Sequence, residues 1–327
     1  MKVKHILGFI IALGAILCVA FFVISNGGSL FKSDANKDSV VKKEDSVNNK
    51  PKNSVGEITP TSTPIITPTP TIEVAKPLID PAGMTLKSRI LTPEGYVRTE
   101  EQSTSLSAFL REYPLKEDKA EVLHYDGSSK VNQNAHVAVF KLPLENRNLQ
   151  QCADSIMRVY AEYYWKQKEY DKIAFHFTNG FLAKYSKWRE GYRIRVDGND
   201  VSWVKSASKD NSYESFEKYL RIVFCYAGTM SMEKESTPID LKDIQVGDVF
   251  IRGGSPGHVV MIVDICQNEE GKKAFLLAQG YMPAQEFHVL KNYNHEEDPW
   301  YYEDEVTYPF STPQYTFDEG SLRHLEY

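Results

Sequence analysis

The aromatic residues are distributed so unevenly that only one part of the chain can form a hydrophobic core. Of the 39 Phe, Trp and Tyr residues, 35 lie in residues 85–327. That segment has about 240 residues and a mildly acidic balance, and a chain of this size can bury a sizeable core. Residues 1–84 cannot, so their sequence needs a different explanation.

Residues 1–84 begin with an apolar run from Ile6 to Ile24, which contains no charge and follows Lys2 and Lys4. As a helix its 19 residues would be about 28 Å long, close to the hydrocarbon thickness of a bilayer. Basic residues before the run favour a cytoplasmic start and export of the rest. We therefore predict a signal-anchor transmembrane helix in residues 1–25 and a single-pass protein of the cell membrane. The alternatives are cleavage, which would secrete the protein, and lipidation of Cys18, which the continuing run disfavours.

Residues 26–84 have the composition of a linker. Phe31 is their only aromatic residue, and four Thr-Pro pairs follow one another between positions 58 and 71. Such a segment buries too little apolar surface to offset its chain entropy. Its Pro-rich half should be extended, at about 3 Å per residue. We predict a disordered stalk that holds residues 85–327, an extracytoplasmic domain, away from the membrane.

Charge and cysteine content exclude several classes of function. The formal net charge of −6 argues against nucleic-acid binding through bulk positive charge. No CxxC or HExxH motif occurs, so we predict neither a metal site nor a cofactor. The exported part has three cysteines, Cys152, Cys225 and Cys266. If the last two pair, Cys152 is left as a free thiol.

The periodicity of residues 85–327 predicts helices first and an antiparallel meander afterwards, which is the α+β class. The predicted helices are Ser105–Arg111, one from a cap at Asn146 or Asn148 to about Lys166, Phe181–Arg189, and Ser212–Tyr226. The predicted strands are Ala120–Tyr125, Ala135–Leu142, Tyr192–Val196, Val201–Val204, Asp248–Arg252, His258–Asp264, Lys273–Gln279 and Glu286–Leu290. The tail after Asn292 is predicted to be irregular.

Cys152 stands in the first turn of a predicted helix. Free amide groups at a helix start stabilise negative charge, which lowers a thiol pKa and favours the nucleophilic thiolate. The same amides can bind an oxyanion that develops on a substrate carbonyl. The alternative is a small buried core residue, because Cys152 shares an apolar face with Ile156 and Val159.

A histidine and a glutamine complete the candidate site. His258 follows the Gly-Gly-Ser-Pro-Gly loop and begins an apolar run typical of a central strand. A hairpin centred near Glu269 and Glu270 would place position 258 opposite 280–281, and Gln279 is then the nearest polar side chain. A cysteine, a histidine and a polar residue that orients the imidazole form the arrangement of cysteine hydrolases.

These motifs resemble the papain-like cell-wall hydrolases of the NlpC/P60 and CHAP groups, in which a cysteine opens a helix packed on an antiparallel sheet. The resemblance implies Cys152, His258 and Gln279 as the catalytic residues. The usual Asp-Cys-Ser-Gly is here Gln-Cys-Ala-Asp, and the interval of 106 residues from cysteine to histidine is long. The stretches LQQCADSIMRVYAEYYW, FHFTNGF, GGSPGHVVMIVD and LLAQGYMPAQEFHVL also resemble a bacterial exported family of uncharacterised function, which implies no activity.

Two functional hypotheses follow. The first is a membrane-anchored extracytoplasmic cysteine hydrolase, a peptidase or amidase that cleaves amide bonds, with peptides of the cell envelope as substrates. The second is a non-catalytic module of the same fold that binds the envelope or acts as a scaffold, because fold does not determine function.

Overall fold

The computed structural model describes residues 77–327. The predicted transmembrane helix and nearly all of the predicted stalk lie outside the described residues. Between residues 77 and 327, no helix is both long and apolar enough to cross a membrane. Folded contacts extend to the first residues of this range, since Ile79 bridges Ile90 and the carbonyl of Leu78 accepts from the amide of Leu91.

The described part contains six α-helices, fifteen strands and four short 3₁₀ helices. The helices are α1 (Leu86–Arg89), α2 (Leu106–Arg111), α3 (Cys152–Gln167), α4 (Tyr185–Arg189), α5 (Tyr213–Tyr226) and α6 (Thr229–Lys234). The strands are β1 (Val97–Arg98), β2 (His136–Val139), β3 (Ala174–His176), β4 (Leu182–Lys184), β5 (Tyr192–Asp197), β6 (Asp200–Lys205), β7 (Ser236–Pro238), β8 (Val249–Arg252), β9 (His258–Gln267), β10 (Lys273–Gln279), β11 (His288–Leu290), β12 (Tyr301–Tyr302), β13 (Phe310–Ser311), β14 (Thr316–Phe317) and β15 (Leu322–Leu325).

Nine of these strands form one antiparallel sheet. Its order is β2–β11–β10–β9–β8–β15–β7, with β1 pairing on β9 and β12 on β10. The pairs β3–β4, β5–β6 and β13–β14 form separate two-stranded sheets. The described part is therefore a mixture of helices and antiparallel sheets, which confirms the predicted mixed class at this level.

The central strand β9 is covered on both faces, as its apolar run predicts. Val259 and Met261 face a large core that includes most of the buried side of α3. Val260 and Ile262 face a second core with Phe317. Since successive side chains of a strand point to opposite faces, this alternation fixes which residues at the strand end lie on which side of the sheet.

A buried ion-pair cluster fastens the middle of β9 to the segments before it. Asp264 is fully buried, and its two carboxylate oxygens lie 2.6 Å from Nε of Arg98 and 2.7 Å from Nε of Arg111. The Arg111 guanidinium also donates to the carbonyls of Thr99 and Ile265. Both carboxylate oxygens of Asp264 and all three nitrogens of the Arg111 guanidinium thus have partners, as buried charges require.

Most predicted elements are present with small shifts of their ends. Ser105 and Ser212 cap α2 and α5, with their hydroxyls accepting from backbone amides three residues later. The Asp-Gly-Asn-Asp turn joins β5 to β6 as a hairpin. The predicted helix Phe181–Arg189 is instead strand β4 followed by the short helix α4.

Two predictions about the remaining chain are wrong. Residues 120–125 form isolated bridges instead of a strand, because side chains take the backbone groups that a ladder would use. The side chain of Gln133 accepts from the backbone amide of Val122 and donates to the carbonyl of Val122. The carboxylate of Glu286 accepts from the backbone amide of Leu123. The tail after Asn292 is not irregular: it supplies β12 to β15, and β15 lies between β8 and β7 in the main sheet.

Candidate active site

Helix α3 begins at Cys152, and the first acidic side chain of the helix bonds the backbone of the turn before it. The carboxylate of Asp154 accepts from the amide of Gln151 at 3.0 Å, and the carbonyl of Gln151 accepts from the amide of Ser155. The second contact is the first regular bond of α3, and the acidic residue lies in its first turn. The predicted caps lie too early in the chain: Asn148 instead accepts from the amide of Ala284 at 2.7 Å.

The Cys152 thiol is buried at the end of the sheet. The residue is only 7% exposed, and its sulfur lies near the amide of Val259. Burial, followed by the nearby Asp154 carboxylate, raises the pKa of the thiol to about 12, although backbone amides oppose the shift. The sequence predicts a lowered pKa for this thiol, whereas the structure gives a raised one. The reason is that the effect of desolvation on the pKa is larger than the opposing effect of the helix amides. None of the three cysteines in residues 77–327 forms a disulfide.

This burial predicts slow alkylation of Cys152 in the folded protein. At pH 7, iodoacetamide should modify Cys152 at least about 10²-fold more slowly than the exposed Cys225. Since the thiolate fraction is far from saturation, the rate should rise about tenfold per pH unit between pH 7 and 9. Mass spectrometry of timed digests measures both rates. A rate at Cys152 that is fast at pH 7 and independent of pH would show a preformed thiolate instead.

His258 is the first residue of β9, and Gln279 is the last of β10. The ring Nε2 of His258 lies 2.7 Å from Oε1 of Gln279. The imidazole is buried among aromatic rings, with centroids 4.8 Å away in Tyr281 and 5.0 Å away in Tyr315. Burial, with a smaller contribution from the charge of Lys130, lowers the pKa of His258 to about 4 against the opposing bond to Gln279. The ring is therefore neutral at pH 7.

The bonds around Gln279 define the tautomer of this neutral ring. The amide nitrogen of Gln279 donates to Oε1 of Gln314 at 2.8 Å, so Oε1 of Gln279 is the atom that faces His258. An amide oxygen only accepts, so Nε2 of His258 carries the proton. The other ring nitrogen, Nδ1, then carries a lone pair and can act as a base.

All three predicted residues lie at one end of the sheet, but on two different faces of it. The register of β9 and β10 pairs Met261 with Ala278, which places position 258 opposite 281, as predicted. Cys152 reaches this end from the face of Val259, whereas His258 and Gln279 belong by alternation to the opposite face. The structure thus joins His258 and Gln279 directly. It brings Cys152 to the adjacent backbone, and the described residues show no hydrogen bond between its sulfur and the imidazole.

Gly280 allows the start of α3 to approach the strand end. A Cβ at this position would clash with the Ser155 side chain and would lie 2.9 Å from the carbonyl oxygen of Gln151. Gly280→Ala should therefore push α3 away and lower the free energy of unfolding by about 1–3 kcal/mol, measured by urea denaturation. Gly228→Ala is the matched control, because its backbone is extended and its Cβ would meet open space. Equal effects of the two substitutions would contradict this packing.

Sequence reasoning missed several side chains of the site. Tyr281 lies against His258 and near Cys152. Burial, followed by the charge of the neighbouring Cys152 in its thiolate form, raises the pKa of Tyr281. Tyr281 stands two residues after Gln279, and residues two apart along an extended strand share a face of the sheet. This spacing could have predicted Tyr281 as a neighbour of the site. Gln314 and Tyr315 come from the turn between β13 and β14, and Lys130 comes from a loop. Their sequences carry no pattern that points to the site.

Nothing in the described range forms a metal centre: residues 77–327 contain no group of three His, Cys, Asp or Glu side chains placed to hold an ion. Two surface hollows lie elsewhere, one lined by Lys116 and Lys141 and the other by Asp240 and Tyr308.

Comparison with known proteins identifies a family without assigning an activity. No curated protein and no solved structure matches the chain. A family profile described as Domain of unknown function (4846) matches residues 86–324, which is most of the chain and nearly all of the described part. This match confirms the resemblance to a family of uncharacterised function and does not extend to the cell-wall hydrolases. The chain belongs to the DUF4846 family.

Proposed function

We propose that this protein is a cysteine hydrolase of papain-like architecture that cleaves amide bonds. The observation that carries the proposal is the 2.7 Å bond from His258 to Gln279 at the strand end that the start of α3 also reaches. A thiol at a helix start, an imidazole on a core strand and an amide on the next strand supply a nucleophile, a base and an orienting group.

The proposed reaction starts from a neutral thiol and a neutral imidazole. As Sγ of Cys152 attacks the carbonyl carbon, the thiol proton moves to Nδ1 of His258, and the first amides of α3 stabilise the oxyanion. The imidazolium gives that proton to the departing amine, the C–N bond breaks, and a thioester remains on Cys152. A water molecule, deprotonated by Nδ1, then attacks the thioester. The acid is released and the thiol is restored.

The proposal requires the site to open, because its reacting groups are almost fully buried. Tyr281 and Tyr315 pack on His258, and the hydroxyl of Tyr281 donates to the carbonyl of Gln314 at 3.3 Å. These contacts tie the turn between β13 and β14 to the strand end. Displacement of this turn would expose the imidazole, and catalytic contacts often tighten only when substrate binds.

Trapping of the thioester tests the proposal. The protein is mixed with peptides derived from the cell envelope, and the reaction is quenched in acid. The intact mass of the protein is then measured by mass spectrometry. A mass increase equal to the acyl fragment, mapped to Cys152 and absent from Cys152→Ala, is the expected result. Failure to form the adduct with a broad set of envelope peptides, in protein whose fold is intact, would contradict the proposal.

The location of the substrate follows from a second proposal about the N-terminus. We propose that residues 6–24 anchor the protein in the cell membrane and that residues 85–327 lie on the extracytoplasmic side. The length of the apolar run and the position of Lys2 and Lys4 support this orientation. Protease added to intact cells or protoplasts should remove the domain. Complete protection would contradict the orientation, and a mature N-terminus at Asn26 would show secretion instead.

Burial favours a second candidate function, a non-catalytic binding or scaffold module. His258 is 2% exposed and Gln279 is fully buried, and a neutral hydrogen-bonded pair in that environment also stabilises a fold. A scaffold would keep Cys152 unreactive towards every acyl donor, whereas a hydrolase acylates it. The mass measurement therefore separates the two candidates.

A further inference from the structure

We propose that Lys130, Gln314 and His288 form a positioning relay that orients the Gln279 amide and thereby keeps the proton of His258 on Nε2. The catalytic consequence rests on the proposed hydrolase function, whereas the tautomer can be measured without any substrate. Sequence reasoning assigned no role to these three residues.

The relay begins at a buried ammonium group. Lys130 is 6% exposed, and its Nζ lies 2.6 Å from Oε1 of Gln314 and 3.3 Å from Nε2 of His288. In residues 77–327 no carboxylate pairs with it. An ammonium only donates, so both of its partners must present acceptors. His288 agrees with this requirement, because its Nδ1 donates to the carbonyl of Glu286 at 2.8 Å and leaves a lone pair on Nε2.

The same two acceptors meet Gln279. Its Nε2 lies 2.8 Å from Oε1 of Gln314 and 3.5 Å from Nε2 of His288. If the amide were flipped, its oxygen would face two acceptors and its nitrogen would face the ring of His258. Lys130 therefore makes one orientation of Gln279 strongly preferred, with Oε1 towards His258.

The final step connects the relay to the proposed chemistry. An oxygen at 2.7 Å from Nε2 of His258 requires a proton on that nitrogen, which leaves Nδ1 free to accept the thiol proton. Without the relay, both amide orientations and both imidazole tautomers become accessible. The fraction of protein with a lone pair on Nδ1 then falls, and the proposed base is lost in that fraction.

Histidine tautomers measured by NMR test the relay directly. The full-length chain is labelled with ¹⁵N-histidine, its eight histidines are observed at pH 7, and His258→Asn identifies the signal of interest. In the native protein we expect the Nε2–H tautomer of His258 to exceed the other by at least about tenfold. Lys130→Met and Gln314→Leu should each convert this signal to a mixture. Lys209→Met, which removes a lysine paired with Glu190 on the surface, should leave it unchanged.

Either of two results would overturn the relay. One is an Nδ1–H tautomer or an imidazolium at His258 in the native protein. The other is an unchanged tautomer in folded Gln314→Leu, which carries the test even where Lys130→Met fails to fold. If the hydrolase proposal also holds, both variants should lower kcat in proportion to the lost Nε2–H fraction, about twofold for an equal mixture, with little change in KM. If the variants change the tautomer but no peptide is hydrolysed, the hydrolase proposal is contradicted and the relay is supported. If peptides are hydrolysed but the variants leave the tautomer unchanged, the relay is contradicted and the hydrolase proposal is supported.

Discussion

Cys152→Ala is expected to lower the rate of amide hydrolysis at least about 10³-fold, because it removes the only nucleophile of the proposed reaction. His258→Ala should have an effect of similar size, since nucleophile and base act as a unit and their losses do not add. Gln279→Ala should cost less, because it removes orientation and leaves the base in place. Release of the amine product, followed at several peptide concentrations, gives kcat/KM for each variant.

Two controls make this prediction specific. Cys225→Ala removes an exposed thiol at the end of α5 and should leave kcat/KM unchanged. Urea denaturation of each variant shows whether a loss of activity reflects a loss of folded protein. Hydrolysis that survives in Cys152→Ala would assign the activity to other residues and remove the thiol from the mechanism.

The pairing at the centre of the site was predictable because it depends on a local hairpin. The turn between β9 and β10 is short, and its centre fixes which residues face each other at the far end. The strand-initial position of His258 and the polar Gln279 could therefore be paired from the sequence. The pairing register of β9 and β10 shifts at an irregularity between Leu276 and Leu277, and position 258 still lies opposite position 281.

The environment of the site was not predictable, because it is made by distant segments. The turn that carries Gln314 lies 35 residues after Gln279 and enters the site only through the position of β13 and β14. The depth at which Cys152 is buried depends on the whole sheet beneath α3. The amides at the start of α3 lower the pKa of the Cys152 thiol, as the sequence predicts, but the larger effect of desolvation reverses the net shift.

Side chains that replace backbone partners also limit sequence reasoning. The apolar pattern of residues 120–125 predicts a strand, yet Gln133 and Glu286 occupy the groups that a neighbouring strand would bond. The four residues of β15 are too few to show a period, although they complete the sheet beside β8. Both differences arise from contacts far apart in the chain.

Asp264→Asn is expected to lower the free energy of unfolding by about 3–5 kcal/mol, because it leaves two largely buried guanidinium groups without their counter-charge. Asp197→Asn is the matched control: its carboxylate lies 4.0 Å from Arg195 in an exposed pair, and its loss should cost under about 1 kcal/mol. Urea denaturation measures both values. Equal costs would show that the buried cluster contributes no more than a surface pair.

The same variant also shows how Cys152 becomes accessible. A loss of 3–5 kcal/mol raises the unfolded fraction by about 10²- to 4 × 10³-fold, since each 1.4 kcal/mol is about a factor of ten. If alkylation of Cys152 required global unfolding, Asp264→Asn would accelerate it by that factor. We expect a change below about threefold, because a hydrolase must admit its substrate by local opening near Tyr281 and Tyr315 while β9 stays in the sheet. An alkylation rate that follows the unfolding equilibrium would instead make Cys152 a core residue and favour the scaffold.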